Sequence, residues 1–163
     1  MKRLILIRHA KSSWADEGQP DHDRPLNDRG RVDAPRIGAW LAARGFLPDV
    51  ALVSTATRTQ ETWATLGPAF AAIPMTPRAD LYNATASHVL RAVLEAPDVG
   101  IVLMLGHMPG IGDFARRMLA EPPDDPKFAQ YPTAATTVIA LDIDAWPQAR
   151  TGAGTLLGFT TPR

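Results

Sequence analysis

Three apolar runs in this chain each stop at residues suited to holding or attacking an anion. Leu4-Ile5-Leu6-Ile7 ends at Arg8-His9, Val50–Val53 ends at Ser54 with Arg58 four residues on, and Gly100–Leu105 ends at Gly106-His107. Arginine presents planar, paired N–H donors that match phosphate oxygens. A neutral imidazole can attack phosphorus or donate to its oxygens. A guanidinium beside an imidazole at a strand tip is costly to bury without a partner, which points to an anionic ligand. If the three strands run parallel, their tips share the sheet edge where open α/β folds bind ligands. Two guanidinium groups and two imidazoles then converge, with helix N-termini near Arg58 and Gly110 adding oriented N–H groups. The sum is a phosphate site built without a metal.

Strand-like and helix-like segments alternate around these tips. After the first strand a polar loop runs from Lys11 to about Asn27. Asn27 or Asp33 is expected to cap a helix with Ile37, Trp40 and Leu41 on one face. Pro35 predicts a kink or a late start there, since an interior proline costs about 3 kcal/mol. Thr57 is expected to cap a helix bearing Trp63, Leu66 and Phe70. A weak third strand is predicted at 72–75, and Ser87 is expected to cap a helix bearing Val89, Leu90, Val93 and Leu94. Ile111, Phe114, Ala115, Met118 and Leu119 form a helical stripe. Residues 122–132 read as a proline-rich loop, and 136–141 and 155–160 as two closing strands. The alternation predicts one domain over residues 1–163, an α/β fold with a mostly parallel sheet.

Composition narrows the function classes. Lys plus Arg equals Asp plus Glu, 17 of each, so no global field attracts nucleic acid or an anionic membrane. The absence of cysteine excludes disulfides, thiolate chemistry and sulfur-held zinc, and no His-x-x-x-His spacing suggests another metal site. No cofactor is called for. No run approaches the roughly 20 apolar residues that span a bilayer, and no signal-peptide pattern is visible. A cytoplasmic location is the expectation.

Longer blocks around the three tips carry a family resemblance. Leu6-Ile7-Arg8-His9-Ala10 resembles the signature of the histidine phosphatase superfamily, with Ala10 where many members carry Gly. Arg24-Pro25-Leu26-Asn27-Asp28-Arg29-Gly30 is similar to its next block. Ser54-Thr55-Ala56-Thr57-Arg58-Thr59-Gln60-Glu61-Thr62 is similar to its Ser-x-x-x-Arg-x-x-Gln-Thr block, shifted at its last residue by Glu61, and Leu105-Gly106-His107-Met108-Pro109-Gly110 to its final Gly-His block. Arg8-His9-Ala10-Lys11-Ser12-Ser13-Trp14 and the short length resemble the SixA-type phosphohistidine phosphatases. The resemblance implies a three-layer α/β/α sandwich, phosphoglycerate mutase-like, and catalysis through a phosphohistidine. His9 would be the nucleophile, and Arg8, Arg58 and His107 would hold the phosphoryl oxygens. Lys11 and Ser12 follow the nucleophile closely enough to touch the phosphate.

Many members of the superfamily carry a general acid after the third strand. Asp80 is the only carboxylate in that stretch, and it is the candidate acid; an ordinary turn residue is the alternative. A weak acid suits a phosphorus–nitrogen bond better than an ester, because imidazole is the better leaving group. Asp80→Asn would then slow ester hydrolysis more than phosphohistidine hydrolysis. The expected substrate is phosphohistidine on a partner protein, such as a histidine phosphotransfer domain. The competing readings are a phosphatase or mutase acting on a small phosphorylated metabolite, and a non-catalytic phosphate-binding regulatory module. His22 and His88 are expected to be solvated, as are Arg116 and Arg117. Trp14 either lines the entrance or covers the core, and Trp40 and Trp63 belong to the core.

Overall fold

Leu4, Ile5, Leu6 and Ile7 are all fully buried, the pattern of a strand covered on both faces. In the computed structural model, which describes residues 1–163, they lie in β1 (Lys2–Arg8) inside a six-stranded sheet. The order is β3 (Met75–Arg78), β2 (Val50–Ser54), β4 (Ile101–Gly106), β1, β5 (Thr136–Leu141) and β6 (Thr155–Thr160). The first four are mutually parallel, and β5 and β6 close the sheet antiparallel. The β1–β4 register sets Arg8 opposite Gly106, so the residues that follow both strands leave the sheet side by side.

Alternate strand residues feed two cores. One face carries Ile5, Ile7, Ala51, Val53, Leu103 and Leu105 against α1 (Asp28–Ala43) and the segment after α2 (Thr57–Ala64). The other carries Leu4, Leu6, Leu52, Val102 and Met104 against α3 (Ala86–Leu94) and α4 (Gly110–Met118). The architecture is the expected three-layer α/β/α sandwich. No helix is long and apolar enough to cross a membrane.

Several local expectations are corrected. Asn27, not Asp33, caps α1, accepting from the Gly30 N–H at 2.9 Å. The helix then continues unbroken through Pro35. Pro35 lies on the exposed face, where water can reach the Arg31 carbonyl left without its usual donor. Asp33 is instead fully buried in mid-helix, ringed by Arg29, Arg36 and Arg163. α2 starts after Ala56 without a side-chain cap and stops at Ala64, so Leu66 and Phe70 pack from the segment beyond it. The third strand sits at 75–78 rather than 72–75, an edge position where Pro77 is tolerated. Thr85, not Ser87, caps α3. The proline-rich stretch is not all loop: Asp125 caps the short helix α5 (Pro126–Gln130), which buries Phe128.

α1 and the segment after α2 approach too closely for any side chain at Gly38. A Cβ there would stand 1.7 Å from the Leu66 carbonyl oxygen. Gly38→Ala is therefore expected to destabilise the fold by about 3 kcal/mol, the upper end for overpacking. A lowered urea midpoint at unchanged slope is the expected readout; an unmoved midpoint would contradict the close approach.

Candidate active site

His9 follows β1 directly, and its backbone is held from both sides. Its N–H donates to Gly106 O at 3.0 Å, while the Ala134 N–H donates to Arg8 O at 3.1 Å and His9 O at 3.0 Å. The Ala134 contact depends on a segment with two non-glycine residues in the left-handed region, Tyr131 (φ 47°) and Ala134 (φ 63°). The same segment aims Arg8, whose Nη1 donates to Tyr131 O at 3.0 Å. His9 is 7% exposed, and its ring places Nδ1 2.7 Å from Ala10 O. A carbonyl can only accept, so Nδ1 carries the proton and Nε2 keeps its lone pair. Burial pushes the His9 imidazolium down to about 3; the charges of His107, Arg58 and Arg8 add to this, against the opposing Ala10 bond. The ring is neutral and ready to attack at physiological pH.

The other expected partners converge on it. The His107 ring lies 5.3 Å from that of His9, centroid to centroid. Its Nε2 meets the Ser54 hydroxyl at 2.8 Å. Burial, then the nearby Arg58 charge, lowers its pKa to about 4. Arg58, in the first turn of α2, is buried and donates to Asp21 O at 2.8 Å and Asp21 Oδ2 at 3.1 Å. Four buried side-chain polar atoms in the molecule lack a hydrogen-bond partner, and three are Arg8 Nε, Arg58 Nε and His107 Nδ1. The fourth, Asp33 Oδ1, faces the Arg163 guanidinium at 3.0 Å. Unpaired buried polar atoms cost about 1–3 kcal/mol each. Three carried by one cluster mark a place built for an acceptor-rich anion.

Other candidate residues stand apart from this cluster or meet it differently than expected. Asp80 does not join the cluster. Its carboxylate forms a forked pair with Arg78, at 2.9 and 2.6 Å, on the exposed surface. That pairing holds it below the usual carboxylate range, and so ionised. Ser12 is buried, but its hydroxyl accepts from Arg24 Nη1 at 2.9 Å. Lys11 contributes its backbone carbonyl to the Asn27 N–H, at 3.0 Å, and its side chain is exposed. His22 is not simply solvated: it lies edge-on to Tyr82, 4.8 Å between centroids, with Nε2 2.9 Å from Thr55 Oγ1. Tyr82 in turn packs edge-on against His107 at 5.5 Å.

Asp21 and Arg24 form a support that sequence reasoning missed. Asp21 Oδ2 accepts from Arg58 and from the Tyr82 hydroxyl, and Oδ1 accepts from Arg24 Nε at 3.0 Å. The Tyr82 bond first, then Arg24 and Arg58, hold the Asp21 carboxyl well below the usual carboxylate range. Trp14 covers this support from outside, with its ring centroid 3.5 Å from the Arg24 guanidinium. The Asp-x-x-Arg spacing, i and i+3 on a tight turn, was the available signal.

The depressed histidines give stability a direction with pH. Folded, His9 and His107 bind protons only near pH 3 and 4, whereas an unfolded histidine does so near 6.5. The unfolded chain therefore holds more protons between those limits. The stabilisation is fully present above about pH 6.5 and is lost as pH falls through the folded values. The urea midpoint is expected to drop steadily from pH 6.5 to 4. In the His9→Gln/His107→Gln variant that slope should flatten; an unchanged slope would remove both histidines as its source.

Comparison with known proteins agrees with this geometry. An uncharacterized protein of Mycobacterium tuberculosis is 33% identical over 96% of this chain and 100% of its own length. An uncharacterized chloroplastic protein of Arabidopsis thaliana is 37% identical over 67% of this chain, but the match spans only 55% of that protein. Among solved structures, one described as a phosphohistidine phosphatase SixA from Agrobacterium tumefaciens superposes with a TM-score of 0.82 at 29% identity. It covers 99% of this chain and 98% of its own. Residues 4–85, from the apolar run before Arg8 to the cap of α3, match the model of the histidine phosphatase superfamily, branch 1. That match contains Arg8, His9 and Arg58, and the fold delivers His107 to the same place: the chain belongs to the histidine phosphatase superfamily.

Proposed function

We propose that this protein is a phosphatase that transfers a phosphoryl group onto His9 and then to water, and that its substrate is phosphohistidine carried by a partner protein. The Nε2 lone pair of His9 forms the new P–N bond as the bond to the leaving nitrogen breaks. The Nδ1–H to Ala10 contact supports the positive charge that develops on the ring. Arg8, Arg58 and His107 supply donors to the phosphoryl oxygens, where negative charge is spread in the transition state. Water then attacks phosphorus and releases inorganic phosphate and neutral His9.

One observation carries the choice of substrate: both candidate carboxyls are already committed to partners, Asp21 to Arg24, Arg58 and the Tyr82 hydroxyl, and Asp80 to Arg78 away from the cluster. Asp21 is kept ionised by Tyr82, Arg24 and Arg58, and Asp80 by Arg78. An ester oxygen leaves poorly unless protonated. A phosphohistidine whose other ring nitrogen carries a proton expels neutral imidazole, with a reference pKa of about 6.5, far more readily and needs no proton from the enzyme. The likeness to the SixA structure supports the same reading. So do the short connections after β3 and β4, residues 79–85 and 107–109, which leave no room for a closing insertion.

The test is a comparison of substrates with a trapping step. Radiolabelled phosphate is expected on His9 of the native protein and to be absent from His9→Ala. Hydrolysis of a phosphohistidine-bearing phosphotransfer domain is expected to exceed that of phosphoglycerates and sugar phosphates by at least about 100-fold in kcat/KM, roughly the weight of one general acid. The reverse preference would overturn the protein substrate, and no label on His9 would overturn the mechanism. Arg58→Ala is expected to lower kcat by about 10²–10³. Asp80→Asn, as a surface change, should leave both substrate classes within about twofold.

A further inference from the structure

Ser54 is fully buried at the end of β2 and has one conspicuous contact, the imidazole of His107. Its hydroxyl oxygen also accepts from the Ala56 N–H at 3.3 Å. Its own carbonyl is occupied twice, by the Thr59 hydroxyl at 2.8 Å and the Gln60 amide at 2.9 Å. The hydroxyl hydrogen therefore has a single acceptor in reach, His107 Nε2 at 2.8 Å. A buried hydroxyl places its hydrogen on an acceptor wherever one is available.

We propose that Ser54 is a positioning residue that fixes the tautomer of His107: its O–H donates to Nε2, which puts the ring proton on Nδ1, the atom left for a phosphoryl oxygen. The opposite tautomer would direct two N–H groups at the Ser54 oxygen and strand its hydroxyl hydrogen. It would also leave a bare Nδ1 lone pair beside an incoming anion. The ring is neutral at physiological pH, because burial and the Arg58 charge disfavour its protonation. It therefore has a tautomer to be chosen. His9 and His107 then share one tautomer, both protonated on Nδ1, but they put it to opposite uses. His9 spends its proton on the Ala10 carbonyl and offers the Nε2 lone pair. His107 spends its lone pair on Ser54 and offers the proton. One pair of identical side chains becomes a nucleophile and a donor through the identity of the group behind each ring. The use made of the His107 proton rests on the phosphatase reading above; the tautomer itself does not.

Imidazole ¹⁵N spectra of the uniformly labelled protein at pH 7.5 test this directly. The four histidines are assigned with single His→Gln variants. His107 is expected to show a protonated Nδ1 and an unprotonated Nε2 in the native protein. A protonated Nε2 there would overturn the proposal without reference to any substrate. In Ser54→Ala the His107 signals should move toward the Nε2–H form while those of His9 stay in place, and kcat should fall at least tenfold with KM less affected. Ser54→Thr, which keeps the hydroxyl, should restore the native tautomer. An unmoved His107 signal in Ser54→Ala would equally sink the assignment. If Ser54→Ala does not fold, the native spectrum decides. If the tautomer is as stated but no label reaches His9, the phosphatase reading fails and the role of Ser54 in the resting protein stands.

Discussion

The parallel pairing of β1 with β4 is the constraint on which everything else rests. It sets Arg8 opposite Gly106, so His9 and His107 leave neighbouring strands in step. Their rings come within 5.3 Å of each other by the geometry of the ladder, not by flexible side chains. β2, on the far side of β4, adds Ser54 and the helix that carries Arg58. A sheet edge is rigid because each strand end is fixed by backbone hydrogen bonds. That rigidity is what a phosphoryl-transfer site needs, since catalysis there is mostly positioning and charge.

Crowding cations and imidazoles into one buried corner is electrostatically unfavourable, and the chain answers in two ways. The rings give up their charge. The guanidinium groups keep theirs and are satisfied from outside the cluster, Arg58 by Asp21 and Arg8 by the Tyr131 carbonyl. Asp21 occupies the outer ends of Arg58 and leaves Nε free. The carboxylate thus keeps the guanidinium in place in the resting protein, and Arg24, Ser12 and Trp14 keep the carboxylate in place.

Legibility in the sequence followed the reach of local rules. Arg8, His9, Arg58 and His107 were readable because each sits at, or one turn beyond, the end of a buried strand, and apolar runs mark such ends plainly. The two closing strands were readable for the same reason. Asp21 and Tyr82 were not, because they come to the site from loops whose course depends on tertiary contacts. The place of Asp80 in the chain suits an acid or an ordinary turn residue; Arg78, two residues earlier, holds it on the surface. Pro35 misled because the rule about prolines assumes a carbonyl hidden from water, and this one is exposed. The prolines before β5 suggest a loop, yet Phe128 and Tyr131 from that stretch are core residues.

Tyr131 has a consequence for the order in which the molecule comes into being. Its hydroxyl bridges Leu6 O and Thr137 Oγ1, its carbonyl accepts from Arg8, and the Ala134 N–H close by donates to the carbonyls of Arg8 and His9. The ribosome makes His9 more than a hundred residues before it makes this brace. Until the brace arrives, a nascent chain carries the reactive ring without the framework that aims it. Competence is therefore acquired only when β5 docks against β1, and a chain cut short before that point would be inert.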